Sequence, residues 1–341
     1  MARRLRILCI DGGGIRGIIP GQVLVEVERR VMMHLGPEAR LCDAFDFVAG
    51  TSTGGILASV YLCPQGSRPR FTAAQAVELY LQRGGEIFKR PVAHQVLSLG
   101  GLVDERYPAT GLLAACDTYF GDLRLSDLLK PCLVTAYDIK RRRAYFFTQH
   151  DARKSLADDF LLRDVVRATS AAPTYFEPAQ IYSQTGVPYP LVDGGVFANN
   201  PALCAYAEAR HKLPGKPRAR DMLIVSLGTG SSLKPYRYEE VRDYGLFRWA
   251  RPTLDIMMSG VSETVDYQLA RMFEAAGVPG QYLRLDADLE DEPNSVSDLD
   301  NAAPENMLRL QQIGQELAEQ RRDDLDRFVE TLCQEAARPE A

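Results

Sequence analysis

The chain is 341 residues long, 46% hydrophobic and 25% charged, the proportions of a globular protein that can bury a sizeable core in one large domain or two ordinary ones. Its formal net charge of −5 argues against holding a nucleic-acid polymer by bulk electrostatics. The seven cysteines are scattered, with neither a C-x-x-C pair nor a zinc spacing, which fits buried thiols in a reducing cytoplasm. The opening "MARRLRILCIDGGG" has an apolar run of only about five residues, too short for a signal-peptide core. No stretch approaches the roughly 18 apolar residues of a membrane span. The expectation is a cytoplasmic protein.

In chain order, "LRILCI" (5–10) reads as a buried strand from its aliphatic run and the glycines that follow. Residues 18–35 put Val23, Val27, Val31 and Leu35 on one helix face. "FDFVAG" is a second strand and "GGILASVYLC" starts a second helix, whereas "CPQGSRPRF" (63–71) carries little pattern. "AAQAVELYLQRGGEIF" and "LRDVVRATSAAP" are helical, and "PCLVTAYDI" and "AYFFTQ" flank "KRRR" as a hairpin. "DMLIVSLGTG" is a late strand running into a Gly-rich turn. The acidic stretch 285–306 reads as a solvated loop before one amphipathic helix, "MLRLQQIGQELAEQRRDDLDRFVETL". Strands alternating with helices predict an α/β sheet covered on both faces. The expected organisation is a single domain over 1–330, with a core at 5–230, a helical C-terminal extension at 240–330 and a flexible tail at 331–341.

Three glycine-rich segments stand out. "DGGGIRG" (11–17) follows the first strand and precedes a helix, so its amides are placed to hold an anion, either a phosphate or a transient oxyanion. Arg16 adds a cation there. Gly12, Gly14 and Gly17 also match G-x-G-x-x-G, but the acidic residue that should end the second strand of a dinucleotide site is missing. Glu26, Glu28 and Glu38 fall in or just after the intervening helix instead. "GTSTG" (50–54) matches G-x-S-x-G, with Gly50 and Gly54 permitting the sharp turn that exposes Ser52; the alternative is that Ser52 only caps the helix. "LVDGGVFANNPA" (191–202) places Asp193 before Gly194 and Gly195 at an uncrowded turn, or is a plain Asp-Gly turn. Asn200 then serves as a helix cap, with Pro201 at the first helical position.

A serine needs a base. Ser52, Asp193 and His211 could form a triad in the α/β-hydrolase order, but His211 lies in "EARHKLPGKPR", a basic exit from a helix, and His34, His94 and His150 lack motif context. In the second arrangement Asp193 takes the proton itself, which partial desolvation makes feasible by raising its pKa. That arrangement uses all three segments and is preferred.

"DGGGIRG", "GTSTG" and "DGG" in this order resemble the patatin-like phospholipase family. "ARLCDAFDFVAGTSTGG", "ATSAAPTYFEP", "LIVSLGTG" and "NMLRLQQIGQEL" are similar to plant patatin and its bacterial relatives, so the resemblance spans roughly residues 5–330. It implies a three-layer α/β/α fold with a mainly parallel central sheet, and hydrolysis of acyl esters in phospholipids or other lipids through an acyl-enzyme. It assigns Ser52 as nucleophile, Asp193 as base and Gly12, Gly13 and Gly14 as the oxyanion hole supported by Arg16, without metal or cofactor. Chains of this size also resemble antiphage effector lipases switched on by a cyclic dinucleotide, and the "KRRRAYFF" hairpin offers cations and aromatics to such a ligand or to anionic lipid, unless it is simply a solvated turn. "DYGLFRWARPTLDIMMSG" (243–260) mixes Trp, Arg and Met, a composition that suits transient contact with a membrane surface beside an acyl-chain entrance; core packing or a homo-oligomer contact is the alternative.

Overall fold

The computed structural model describes residues 3–89, 107–231 and 236–338. Its strands are β1 (Leu5–Ile10), β2 (Phe47–Thr51), β3 (Pro64–Gln65), β4 (Arg68–Pro69), β5 (Cys132–Asp138), β6 (Arg143–Thr148), β7 (Ala179–Tyr182), β8 (Pro188–Asp193), β9 (Met222–Leu227) and β10 (Tyr282–Leu285). All except the small β3–β4 hairpin join one sheet in the order β10-β9-β1-β2-β5-β8-β7, with β6 paired to β5 beside that path. The β10–β9, β9–β1, β1–β2 and β2–β5 pairs are parallel, and the pairs on the β6, β7 and β8 side are antiparallel. The longer helices are α1 (Ile18–Leu35), α2 (Thr53–Leu62), α3 (Ala73–Ile87), α4 (Thr110–Phe120), α5 (Leu162–Thr169), α6 (Ala202–Lys212), α7 (Leu246–Ala275), α8 (Pro304–Gln320) and α9 (Arg322–Ala336).

The layering follows from the two-residue period of a strand. In β1, Leu8 and Ile10 join one apolar cluster, while Ile7 and Cys9 join another. Val48 of β2 and Leu223 and Val225 of β9 go with the first; Phe47, Ala49, Met222 and Ile224 go with the second. The first face is covered by α1, α2, α3, α8 and α9, and the second by α6 and α7. Both faces are therefore dry, which is why these strands read as unbroken apolar runs rather than alternating ones. Val23, Val27 and Val31 of α1 are at most 3% exposed, each contributing about 2 kcal/mol of burial. The result is a three-layer α/β/α sandwich around a mostly parallel sheet. All seven cysteines are free thiols, and six of them are buried.

Three expectations about the C-terminal third are corrected. The core does not end at 230, because β10 pairs with β9 and completes the sheet edge. The acidic stretch 285–306 is not simply solvated: Leu299 O accepts the Ile15 N–H at 2.9 Å, and the buried Asp300 accepts the Tyr107 hydroxyl at 2.7 Å. The expected terminal helix is two helices broken at Arg321, and the second runs to Ala336, through the segment read as a tail. Leu332 and Cys333 are buried there because they pack on the α1 face.

Glu335 fastens that end of the chain to the beginning of β1. Its carboxylate accepts the Arg4 N–H at 2.9 Å and the Arg4 guanidinium at 3.0 and 2.8 Å. Burial opposes ionisation, but the hydrogen bonds and charge of Arg4 outweigh it and hold the carboxyl below its ordinary range. The pair therefore stabilises the fold fully above the ordinary glutamate pKa, and its contribution fades as pH falls through the lowered value. Glu335→Ala should cost about 2–3 kcal/mol at neutral pH, measured as a shift in denaturation midpoint, and the difference from the parent should shrink in acid.

Candidate active site

One edge of β5 is shared by two strands. β2 pairs in parallel with its first half, so that Thr51 lies opposite Thr135. β8 pairs antiparallel with its second half, so that Asp193 lies opposite Ala136. β6 spans Leu133–Asp138 and so occupies the other edge. Two consecutive residues of β5 thus align the ends of β2 and β8, and the residues Ser52 and Asp193 meet there although 141 positions separate them in the chain. The Thr51 and Thr135 hydroxyls are 2.7 Å apart, and Thr51 Oγ1 also donates to Ala198 O at 2.6 Å. Gly194 packs directly on Thr135, leaving no room for a side chain.

Ser52 stands between β2 and α2 with φ 54° and ψ −120°, a left-handed conformation that costs a non-glycine residue about 1–3 kcal/mol. Its side chain does not cap α2, so the helix-cap alternative does not describe its role. The Ser52 N–H donates to the buried Thr169 hydroxyl at 2.9 Å, and its carbonyl accepts the Ile56 N–H at 3.0 Å. A side chain on Gly50 would collide with the Gly54 backbone, and one on Gly54 with the backbone of Ile10 and Asp11; only a pair without side chains lets the turn close this tightly.

Asp193 is 4% exposed. Its Oδ1 accepts the Gly195 N–H at 2.7 Å, and its own N–H donates to Ala171 O at 3.0 Å. Burial pushes the carboxyl up to about 7, against the stabilisation its anion receives from the neighbouring Ser52 hydroxyl and the Gly195 N–H. A buried carboxylate poised near neutrality beside a strained serine can accept that serine's proton.

The glycine loop is held from three directions. The Asp11 N–H donates to Leu227 O at 2.9 Å, and Thr229 Oγ1 donates to Gly12 O at 2.8 Å. Gly14, at φ +57°, lies against the Leu299 carbonyl, where a side chain would collide. Beneath the loop, Arg284 of β10 forks onto both oxygens of the buried Asp11 at 3.0 and 2.7 Å, and also reaches Ser226 and Asp286. Gly17 packs on Thr53 at the start of α2. The Gly12 N–H is occupied: it donates to Asn199 O at 3.0 Å, which removes it from the expected set of oxyanion donors. Among the described residues, the Gly13 and Gly14 amides donate to no protein carbonyl. Arg16 borders the same cavity with its Nε buried and unpartnered, and burial lowers its pKa despite nearby carboxylates.

Ser52, Asp193, Gly13 and Gly14 open onto a cavity of about 900 Å³. One wall is apolar, with Ile15, Ile56, Ile87, Phe88, Leu112 and Phe176. The opposite wall is α7, which contributes Pro252, Leu254, Met257 and Met258. Part of the 243–260 segment therefore lines the cavity. Trp249 does not; it stacks edge-on against Tyr244 at 5.9 Å.

His211 is exposed on the last turn of α6 and does not line the cavity, so the triad does not assemble. His34 is exposed, His150 bonds Glu208 at 2.9 Å, and His94 lies outside the described residues. Glu28 accepts the Ala73 and Leu41 amides, and Glu26 pairs with Arg29 and Arg30, so neither is placed to hold a ribose beside the glycine loop. In the "KRRR" turn, Asp138 accepts the Lys140 and Arg141 amides and the Arg141 guanidinium, which lies 4.6 Å from the Tyr189 ring centre. Helix α6 starts one residue later than expected: Pro201 is the cap residue, and Asn200 Oδ1 accepts the Ala202 N–H at 3.0 Å. Sequence reasoning missed Thr135, Thr169, Asn199, Thr229 and Arg284. Of these, Asn199 and Thr229 stood in segments whose glycines marked them, "LVDGGVFANNPA" and "LGTG".

A family model described as "Patatin-like phospholipase" matches residues 8–206. Patatin-like protein 1 of Oryza sativa subsp. indica is 34% identical to this chain, over 94% of the chain and 82% of its own length. Patatin-like protein 2 of Arabidopsis thaliana is 33% identical, over 91% and 82%. A Solanum tuberosum relative, 30% identical over 93% of this chain and 87% of its own length, is named "Probable inactive patatin-3-Kuras 1". With the family model spanning more than half its length, the chain belongs to the patatin-like phospholipases, a family of lipid acyl hydrolases.

Proposed function

We propose that this protein hydrolyses acyl esters of glycerophospholipids through an acyl-enzyme on Ser52, with Asp193 as the only protein base. The observation that carries the proposal is the meeting of a strained serine and a buried carboxyl, its pKa raised to about 7, at the mouth of a largely apolar cavity. The Asp193 carboxylate accepts the Ser52 proton as Oγ attacks the ester carbonyl. The Gly13 and Gly14 amides receive the developing oxyanion, and Arg16 adds positive potential. Collapse expels the alcohol, which takes the proton back from Asp193. Water then repeats the sequence on the acyl-enzyme and releases the fatty acid. The apolar wall and the methionines of α7 suit an acyl chain.

The outer side of α7 supports access from a lipid surface. Ile256, which does not line the cavity, is 46% exposed, and Tyr267 further along the same helix is exposed as well, while Met257 of the cavity wall is itself 44% exposed. No helix among the described residues is long and apolar enough to cross a membrane, so the contact proposed is peripheral.

Ser52→Ala should lose at least about 1,000-fold in kcat/KM on a short-chain p-nitrophenyl ester, and Asp193→Ala about as much, with His211→Ala close to the parent. An inactive but folded His211→Ala would restore the triad. Because the base works ionised, kcat/KM should climb about tenfold per pH unit below pH 7 and level off above it; a midpoint near the ordinary aspartate value would remove Asp193 as a base desolvated in the free enzyme. Ile256→Asp should cut hydrolysis of anionic phospholipid vesicles several-fold, by roughly the cost of putting a charge in place of an inserted apolar side chain, with the soluble-ester rate unchanged.

A further inference from the structure

Among the described residues, three side chains that line the cavity carry a buried polar atom without a protein partner: Arg16 through Nε, Ser170 through Oγ and Asn199 through Oδ1. The guanidinium only donates. Asn199 is the one that the geometry ties to both Ser52 and Asp193. It is 7% exposed, and its amide Nδ2 donates to the Ser262 hydroxyl of α7 at 3.1 Å. A methyl group on Gly12 would lie 2.5 Å from Asn199 Oδ1 and 3.3 Å from Ser52 Cβ. One on Gly195 would lie 3.4 Å from Asn199 Oδ1 and 3.2 Å from Asp193 Oδ1. The amide oxygen and the carboxylate therefore flank the same space, next to the nucleophile. A buried acceptor left unmatched is destabilising, and a water needs two or more polar partners to be held.

We propose that Asn199 is a catalytic residue of deacylation, its Oδ1 accepting a hydrogen bond from the water that attacks the acyl-enzyme while Asp193 accepts the other. The role deepens the acyl-enzyme mechanism above and rests on it. A serine hydroxyl brings one proton to its attack, and Asp193 accounts for it. Water brings two. As the water oxygen bonds to the acyl carbon, one proton passes to the Asp193 carboxylate and the carbonyl electron pair moves onto the oxyanion. The second O–H bond stays intact and needs an acceptor throughout, which Asn199 Oδ1 supplies. Collapse breaks the acyl carbon–Ser52 bond, Asp193 returns its proton to Oγ, and the carboxylic acid leaves. The Ser262 hydroxyl fixes which end of the amide faces the water, so α7 helps set the hydrolytic step as well as lining the cavity.

The test separates hydrolysis from acyl transfer. With a p-nitrophenyl ester, Asn199→Ala should show a burst of one nitrophenolate per active site, then steady turnover with kcat and KM lowered together, about tenfold or more, and kcat/KM within about twofold of the parent. In added methanol, whose attack also delivers a single proton, the ratio of methyl ester to free acid should rise about tenfold over the parent. Ser262→Ala, which leaves the backbone bond from Gly12 to Asn199 untouched and frees the amide to turn, should shift that ratio the same way by a smaller factor, and it decides the matter if Asn199→Ala does not fold. A fall in kcat/KM matching that in kcat, or an unchanged methanol ratio in the variants, would overturn the role of Asn199 alone. A parent with no Ser52-dependent turnover would overturn the acyl-enzyme reading, and this one with it.

Discussion

The pairing of two different strands along one edge of β5 is the constraint from which the site follows. Thr135 meets Thr51 and Ala136 meets Asp193, so a one-residue slip in either ladder would turn Ser52 or Asp193 away from the other, because side chains alternate across a strand. The register is protected where a slip would cost most. The Thr51–Thr135 hydroxyl contact and the close packing of Gly194 on Thr135 sit at the junction, and the apolar sets of β1, β2 and β9 would all be misplaced by it.

Around that junction the protein assembles unfavourable elements that are tolerable only because rigid structure surrounds them. Ser52 is held in a conformation that non-glycine residues avoid, and Asp193 is buried with few compensating partners. The same burial that makes the carboxylate costly lifts its pKa to about 7, so desolvation sets where the group titrates. The glycine loop is likewise held from outside: Thr229 follows β9, Arg284 lies on β10, and Leu299 belongs to the stretch that crosses over it. All three lie beyond residue 206, outside the matched family segment, yet they fasten the loop that begins at Asp11. The C-terminal third is thus part of the scaffold around the glycine loop rather than an appendage to it.

Helix α7 belongs to both the cavity and the protein surface. Its inner side closes the cavity and anchors Asn199 through Ser262, while its outer side carries exposed apolar residues. Pro252 lies within the helix and in the cavity wall, where its missing N–H removes a backbone hydrogen bond from the helix.

How much could be read without a structure depends on the range of each interaction. Strand and helix identities are local, and the runs "LRILCI" and "MLIVSL" and the α1 face carrying Val23, Val27 and Val31 announce them. So do the three glycine segments, because a tight turn and a close backbone approach demand glycine at the position itself. Ser52, Asp193 and the loop at 11–17 were legible for that reason. Which amides of the loop remain free was not, since a carbonyl at residue 199 decides the state of Gly12. Nor were Arg284, Thr169 or the buried α9 end at Glu335, whose roles depend on partners hundreds of positions away or on packing that leaves no local pattern. By itself the sequence determined the elements and the residue types able to do the chemistry. Tertiary structure alone decided that Asp193 meets Ser52 while His211 stays at the surface, because proximity between distant segments is set by strand register and layer packing, which no short window of sequence contains.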